Sequence, residues 1–318
     1  MNARAKVLLP DTIDLDLSLP EGWSAAVVDA REPIPAEHHD ARAIVVWGAS
    51  RRHLASAAAD LPDLALVQSL AAGVEGILDA GFGDVVRIAA GIGLHSRTVA
   101  EHTLGLLLSL VRRLPEAKEA QAAHEWSREL GGLQPLHPEG RRTTLLGARV
   151  LVWGFGDIGR TLAPLLSALG ADVTGIARTA GERDGYRVIT EDSLADELPH
   201  TDVLISSLPA TEQTRHAIGA RVLDALPEHA FVLNVGRGTV VDQQALAAAL
   251  RGGSIGGAAL DVTDPEPLPA DDPLWDAPNL LITPHGAGGR PVEPEARIVE
   301  NLRALDEGRP LLHEVARG

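Results

Sequence analysis

The 318-residue chain contains no cysteine, which excludes disulfides and thiolate metal centres; no metal site of any other kind is expected. Aromatic residues are scarce, at 3% (three Phe, one Tyr, five Trp), so a core must rest on Ala, Leu, Val and Ile. Long hydrophobic runs are missing as well. The longest candidate, residues 104–111, lies between His102 and Arg112 and falls well short of the ~20 apolar residues of a membrane span. Residues 1–10 lack the long apolar region of a secretory leader, so a cytoplasmic location is expected. Cations are few: 28 Lys and Arg stand against 44 Asp and Glu, a formal charge of −16. That balance argues against nucleic acid and anionic membranes as partners, because a basic face is the usual footprint of both. An anionic substrate would need a local cation against this field, so arginines in glycine-rich loops are of interest.

Glycine, by contrast, is abundant, with 32 residues. Six consecutive residues, Gly154-Phe155-Gly156-Asp157-Ile158-Gly159, form a G-x-G-x-x-G between the apolar run Val150-Leu151-Val152-Trp153 and a helical pattern over 160–169. In that setting the motif has a physical meaning. Gly154 permits a tight turn, Gly156 lets the backbone approach a pyrophosphate, and Gly159 lets the helix pack close to the strand. The N–H groups that open the helix then face phosphate charge. The alternative is a glycine-rich turn in some other parallel sheet.

Residues 1–97 alternate between strand and helix patterns. Short apolar runs at 6–9, 25–28, 43–47 and 64–67 suit buried parallel strands, and 51–59 reads as a helix. Ser69-Leu70-Ala71-Ala72-Gly73-Val74 is a small-residue turn at a strand's carboxyl end, where open parallel sheets bind ligands; an ordinary turn is the other reading. Residues 98–126 read as one long helix with Leu104, Leu107, Leu108, Val111 and Leu114 on one face, and Pro115 is expected to kink it or end its first part. Residues 131–144 are polar and rich in Gly, Pro and Arg, a loop or arm. A second series follows, with strands at 150–153, 172–176, 203–205, 231–235, 257–260 and 280–283 and helices between most of them, 242–250 included. A final helix at 293–307 is a candidate to cross back to the first domain. The pattern is an α/β chain with two doubly wound parallel sheets.

Three further stretches sit at carboxyl ends of the expected strands: Asn234-Val235-Gly236-Arg237-Gly238, Asp261-Val262-Thr263-Asp264-Pro265-Glu266-Pro267 and Thr283-Pro284-His285-Gly286. Singly, Arg237 reads as a solvated loop cation, Glu266 as a surface acid, and His285 as one of 12 histidines. Together they put a cation, an acid and an imidazole on the ligand-binding edge of a dinucleotide sheet. Here the chain resembles the D-isomer-specific 2-hydroxyacid dehydrogenase family over nearly its whole length. Asn234 to Gly238 is similar to that family's arginine motif, Asp261 to Pro267 to its D-V-x-x-x-E-P motif, and Pro284-His285 to its proline–histidine signature. Val99-Ala100-Glu101-His102 matches its helix start and Ala72-Gly73 its substrate-carboxylate loop.

The resemblance implies a Rossmann cofactor domain, 98–287, inserted in a flavodoxin-like substrate domain, 1–97 plus 288–318. It implies Arg237, Glu266 and His285 as the catalytic trio, with Arg237, His285, Ala72 and Gly73 on the substrate. Gly154, Gly156, Asp157, Ile158 and Gly159 would hold the pyrophosphate; Leu208, Pro209, Thr214, Val235 and Gly236 would line the cofactor. Asp261 would hold the nicotinamide amide, with Gly288 beside the ring. The implied partner is a small 2-keto or 2-hydroxy acid, with glyoxylate and hydroxypyruvate as family-level expectations. His95 and Gly286 depart from the family pattern and bear on substrate preference. The family also implies a homodimer, with Trp126 reaching toward a partner's pocket or staying in its own core. No C-terminal regulatory domain is expected after Gly318. A phosphite-type dehydrogenase and a non-catalytic NAD(H)-sensing scaffold stay open as alternatives.

The residue types suit these roles. Arg237 can grip a carboxylate or 2-keto acid with paired hydrogen bonds that lysine imitates poorly. His285 can donate a proton near neutral pH, and Glu266 can orient its ring; Asp264, the nearest rival acid, reads as a turn residue. An acid ending the second strand binds the ribose of NAD. Here the strand ends Gly175-Ile176-Ala177-Arg178-Thr179, with Asp172 at its far end. Arg178 and Thr179 therefore point to NADP(H) as the preferred cofactor, with NAD(H) as the alternative.

Overall fold

Short runs of Val, Ile, Leu and Ala bounded by turn residues become strands buried on both faces, the pattern that parallel sheets covered by helices require. The computed structural model describes residues 5–131, 133 and 135–316, and the chain divides into two units, Met1–His95 with Arg290–Gly318, and Ser96–Gly289. The junctions differ slightly from those expected at 97/98 and 287/288, because the helix that opens the second unit already begins at Ser96.

In the first unit, β1 (Ala5–Pro10), β2 (Trp23–Val28), β3 (Ala43–Val46), β4 (Leu66–Ser69) and β5 (Arg87–Ala89) form a sheet ordered β2-β1-β3-β4-β5. All pairs are parallel, and this is the flavodoxin-like order. β5 is too short, at three residues, for its pattern to stand out in the sequence. Helices α1 (Arg51–Asp60) and α2 (Glu75–Leu78) follow β3 and β4. Ser50 starts α1 by accepting a hydrogen bond from the His53 N–H.

The second unit opens with α3 (Ser96–Val111) and α4 (Leu114–Ala122). The single helix expected over 98–126 is thus two. Arg113 adopts a left-handed conformation, φ 53°, which ends α3, and Pro115 sits in the first turn of α4, where its missing N–H breaks no bond. Trp126 lies beyond α4. Then come β6 (Arg149–Trp153), α5 (Asp157–Ala168), β7 (Asp172–Ile176), β8 (Gly181–Arg183), β9 (Tyr186–Ile189), α6 (Leu194–Glu197) and β10 (Val203–Ser206). They are followed by α7 (Ala220–Leu223), β11 (Phe231–Asn234), α8 (Gln243–Gly252), β12 (Gly257–Leu260) and β13 (Leu280–Ile282). The sheet runs β13-β12-β11-β10-β6-β7-β9-β8, parallel except for β8 against β9. Without its edge strands β13 and β8 this is the order of dinucleotide-binding sheets. The hairpin β8–β9 turns at Asp184-Gly185, both at positive φ, an Asp-Gly signal masked in the sequence by the polar residues of β8. α9 (Pro294–Asp306) belongs to the first unit, with buried Ile298, Leu302 and Ala304.

Two apolar layers cover the second sheet. One includes Leu107, Leu110 and Val111 of α3 with Leu162 and Leu166 of α5; the other includes Leu246, Ala247 and Leu250 of α8. Phe155 is buried in the first layer, worth about 2 kcal/mol for such a side chain. Its ring lies over Gly175 of β7, where a Cβ would stand 2.3 Å from the ring. Below the loops, Asp202 ties three segments: Arg142 bonds it at 2.8 and 2.7 Å, His229 at 2.7 Å and the Arg149 N–H at 2.8 Å. Burial works to raise its pKa, and these partners together outweigh burial and hold the carboxyl below the ordinary value. Among the described residues no helix is long and apolar enough to cross a membrane.

Candidate active site and cofactor cradle

The cradle is built at the turn from β6 to α5. Gly154 takes φ 98°, and a Cβ there would meet the Ser207 backbone at 3.0 Å. The Gly154 and Phe155 N–H groups donate to the Ile176 carbonyl at 3.1 and 3.0 Å, which pins the loop to β7. A Cβ on Gly159 would press on the Gly154 carbonyl and Val152, both at 3.1 Å, so glycine lets α5 approach β6. A Cβ on Gly156 would meet nothing within 4 Å. This open face, beside the first N–H groups of α5, which have no acceptor within the helix, fits a dinucleotide pyrophosphate. Asp157 and Ile158 form that first turn.

Other expected cofactor residues lie along the same carboxyl edge of the sheet. Arg178 and Thr179 follow β7 and are exposed. Arg183, not singled out by the sequence, donates to the Phe155 carbonyl at 3.1 Å and the Thr179 carbonyl at 3.2 Å, joining the glycine loop to the turn after β7. Leu208 and Pro209 follow β10, and Thr214 folds back to donate to the Pro209 carbonyl at 2.6 Å. Val235 and Gly236 follow β11. A Cβ on Gly236 would lie 2.4 Å from the Leu208 carbonyl, so these two loops touch through their backbones.

The chemical trio is set by β11, β12 and β13, neighbours in the sheet. Buried Asn234 accepts from the Gly236 N–H at 3.2 Å and donates to the Arg237 carbonyl at 2.9 Å, so one side chain shapes the arginine loop. A Cβ on Gly238 would lie 1.9 Å from the Thr263 carbonyl, which puts Arg237's loop directly against the loop that carries Glu266. Glu266 Oε1 accepts from the Thr263 N–H at 3.1 Å. Its Oε2 is 2.8 Å from His285 Nδ1. A carboxylate only accepts, so Nδ1 carries the hydrogen and Nε2 is the nitrogen left for a reacting oxygen. Asp264 instead lies 4.0 Å from Arg215, and its backbone N–H donates to Gln243 Oε1 at 2.8 Å. Glu266 is therefore the acid that reaches the imidazole.

His285 sits in the left-handed region, φ 52°, a conformation that costs a non-glycine residue about 1 kcal/mol or more. Surrounding bonds enforce it. The His285 N–H donates to the Asp261 and Thr283 carbonyls at 2.8 and 3.0 Å. The Asp261 carboxylate accepts from Gly286 N–H and Ala287 N–H at 2.9 Å each and from the Thr283 hydroxyl at 2.6 Å. The Asp261 side chain is buried, with both carboxylate oxygens engaged by these donors. The Gly288 carbonyl accepts from Thr98 of α3 at 2.6 Å. Thr283, Asn234 and His102 were not expected to act here; the His102–Thr283 bond spans 181 positions that no local pattern reveals, whereas Asn234 bonds within its own motif.

In the first unit, Gly73 lines a cavity of about 490 Å³ with Trp47, Ser69, Ala71 and Val74; Ala72 lies in the same turn. His95 stacks on Trp47, ring centroids 5.4 Å apart, and donates to the Leu70 carbonyl at 2.8 Å. Among the described residues, no group of three or more His, Asp or Glu could hold a metal ion.

Comparison with known proteins places this geometry among relatives. Residues 104–287 match the family model described as D-isomer specific 2-hydroxyacid dehydrogenase, NAD binding domain. Glyoxylate/hydroxypyruvate reductase A HPR2 of Arabidopsis thaliana is 32% identical over 282 residues, 87% of each chain. A D-isomer specific 2-hydroxyacid dehydrogenase family protein from Aeromonas salmonicida aligns over 99% of both chains with TM-score 0.82 and 29% identity. A D-isomer specific 2-hydroxyacid dehydrogenase from Xanthobacter autotrophicus Py2, solved with NADPH and MES, covers 99% of this chain and 98% of its own, with TM-score 0.78 and 30% identity.

Proposed function

The chain belongs to the D-isomer specific 2-hydroxyacid dehydrogenase family, and on that premise we propose an NADPH-preferring reductase of small 2-keto acids in the glyoxylate and hydroxypyruvate range. It is an oxidoreductase that moves hydride between a nicotinamide cofactor and a small 2-keto or 2-hydroxy acid. The observation that carries the assignment of roles is the Glu266–His285 bond at 2.8 Å, which leaves Nε2 of the imidazole for substrate.

When bound, the nicotinamide supplies or accepts the hydride. Arg237 holds the substrate's carboxylate and carbonyl oxygen and so fixes which face of the carbonyl is presented. His285 gives its Nε2 proton to the carbonyl oxygen in reduction and takes it back in oxidation. Glu266 keeps the ring in the tautomer and orientation that this transfer needs. Backbone N–H groups of Ala72 and Gly73 are proposed as further carboxylate contacts.

NADPH is favoured over NADH because Ala177 stands where an acid would repel a 2′-phosphate and exposed Arg178 follows it. A relative solved with NADPH supports the same reading. We place the enzyme in the cytoplasm, with soluble substrates, and as a homodimer. Initial rates for NADH and NADPH against a panel of 2-keto acids test the proposal. NADPH with a two- or three-carbon keto acid should give the highest specificity constant. A tenfold better constant with NADH, about 1.4 kcal/mol, would overturn the cofactor assignment, and no turnover across the panel would overturn the activity.

A further inference from the structure

The catalytic histidine's segment is fastened to helix α3 through one side chain that the reaction does not itself use. His102, on the second turn of α3, places Nε2 3.0 Å from Thr283 Oγ1 and 3.3 Å from Asp261 Oδ1. The direction of these bonds follows from counting hydrogens. The Thr283 hydroxyl has one hydrogen, and it goes to Asp261 Oδ1 at 2.6 Å. Toward His102 it can only accept, so His102 Nε2 carries its ring hydrogen and donates to both oxygens. Asp261 in turn receives the N–H groups of Gly286 and Ala287 on its two oxygens, each at 2.9 Å. Its own carbonyl receives the N–H of His285 at 2.8 Å.

We propose that His102 is a positioning residue for the reaction: its Nε2–H locks the Thr283 hydroxyl onto Asp261, and Asp261 then holds the left-handed segment that aims His285. Three features argue that this link matters. His285 adopts φ 52°, a conformation uncommon for any residue but glycine and held here by its neighbours' bonds. Asp261 is buried to 1% exposure, so its oxygens depend on protein donors. Thr283 without a donor at its oxygen is free to turn its hydroxyl away from Asp261. The inference rests on His285 being the proton donor of the proposed reaction.

The test uses the full-length protein with His102→Leu, His102→Gln and Thr283→Val. Glutamine keeps an N–H donor near the Nε2 position, and leucine does not. Leucine should lower kcat for keto-acid reduction on the order of tenfold, since a small misplacement of a catalytic group is enough for that, while KM for the keto acid stays near wild type. Glutamine should restore most of the loss. Thr283→Val should resemble His102→Leu, and the double variant should be no worse than the poorer single one, because both break one chain of bonds. Amide hydrogen exchange at Gly286 and Ala287 gives a readout independent of turnover: protection should fall in the leucine variant and return in the glutamine variant. If His102→Leu fails to fold, Thr283→Val against wild type carries both measurements. Unchanged kcat with unchanged exchange, equal damage from leucine and glutamine, or additive losses would each overturn the inference. A wild-type enzyme that turns over no keto acid would instead overturn the functional reading, and the exchange data would still decide whether His102 holds the segment.

Discussion

Two acids in one loop, Asp264 and Glu266, compete for the histidine in any reading of the sequence, and side-chain reach separates them. Glu266 spans 2.8 Å to His285 Nδ1, whereas Asp264 faces Arg215 at 4.0 Å. Glu266→Gln preserves shape but offers an uncharged partner to the ring. The maximal rate should fall roughly a hundredfold or more, the contribution of a well-set acid–base group, while KM and folding change little. Asp264→Asn, on the exposed side of the loop, should stay within about twofold of wild type. Steady-state rates for the two variants side by side decide the matter; the reverse ranking would move the role to Asp264. At this scale the meeting of Glu266 with His285, and of the Arg237 loop with the Glu266 loop, was legible because each sits in a short motif with fixed spacing. His102 and Thr283 were not, since their bond joins residues 181 positions apart and exists only once α3 packs against the sheet.

At the scale of elements, the glycine loop divides two kinds of glycine. Gly156 faces open space, and Gly175 faces the ring of Phe155 with only 2.3 Å to spare for a Cβ. Gly156→Ala should therefore keep a melting temperature close to wild type yet bind NADPH at least tenfold more weakly, about 1.4 kcal/mol, because the methyl group occupies the approach of the pyrophosphate. Gly175→Ala should lose stability by about 1–3 kcal/mol, the usual cost of overpacking a core. Calorimetry and titration with NADPH separate the two effects. Wild-type affinity in Gly156→Ala would mean that the pyrophosphate does not lie on that face. Most strands were legible, since fully buried parallel strands read as continuous apolar runs bounded by turn residues. The break between α3 and α4 was not, because it rests on the left-handed Arg113, a residue type with no special leaning toward that conformation. The hairpin β8–β9 was hidden for the opposite reason: its Asp184-Gly185 turn is a strong signal, but Gly181-Glu182-Arg183 carry no apolar alternation.

For the whole molecule, a net charge of −16 sets the terms on which an anionic acid and an anionic cofactor are bound. Each needs its own local cation, and Arg237 and Arg178 are the ones proposed. The surface carries a second feature that the single chain leaves unexplained. Leu114, Trp126, Leu133 and Leu136, all between α3 and β6, are 52%, 94%, 102% and 60% exposed. Scattered apolar residues on a surface are ordinary, but four on one stretch of chain suit an interaction surface. Beside α4 opens a hollow of about 980 Å³, lined by Arg113, Glu116, Phe231, Ile255 and Leu280. It lies at the amino ends of β11 and β13, away from the edge that carries the chemistry, so an occupant there would not block substrate. A second copy of the chain would bring its own apolar stretch to such a surface, and we propose the homodimer as the assembly this stretch serves. Light scattering at micromolar concentration should report about twice the chain mass of 33.4 kDa. Trp126→Ser with Leu133→Ser should weaken association without unfolding either unit, since neither side chain contributes to a core. Trp126 fluorescence should shift to the red on dilution of the wild type as the indole returns to water. A species of single-chain mass at every concentration, with an indole emission that dilution does not move, would reject the dimer and leave Trp126 a solvated residue of a monomeric enzyme.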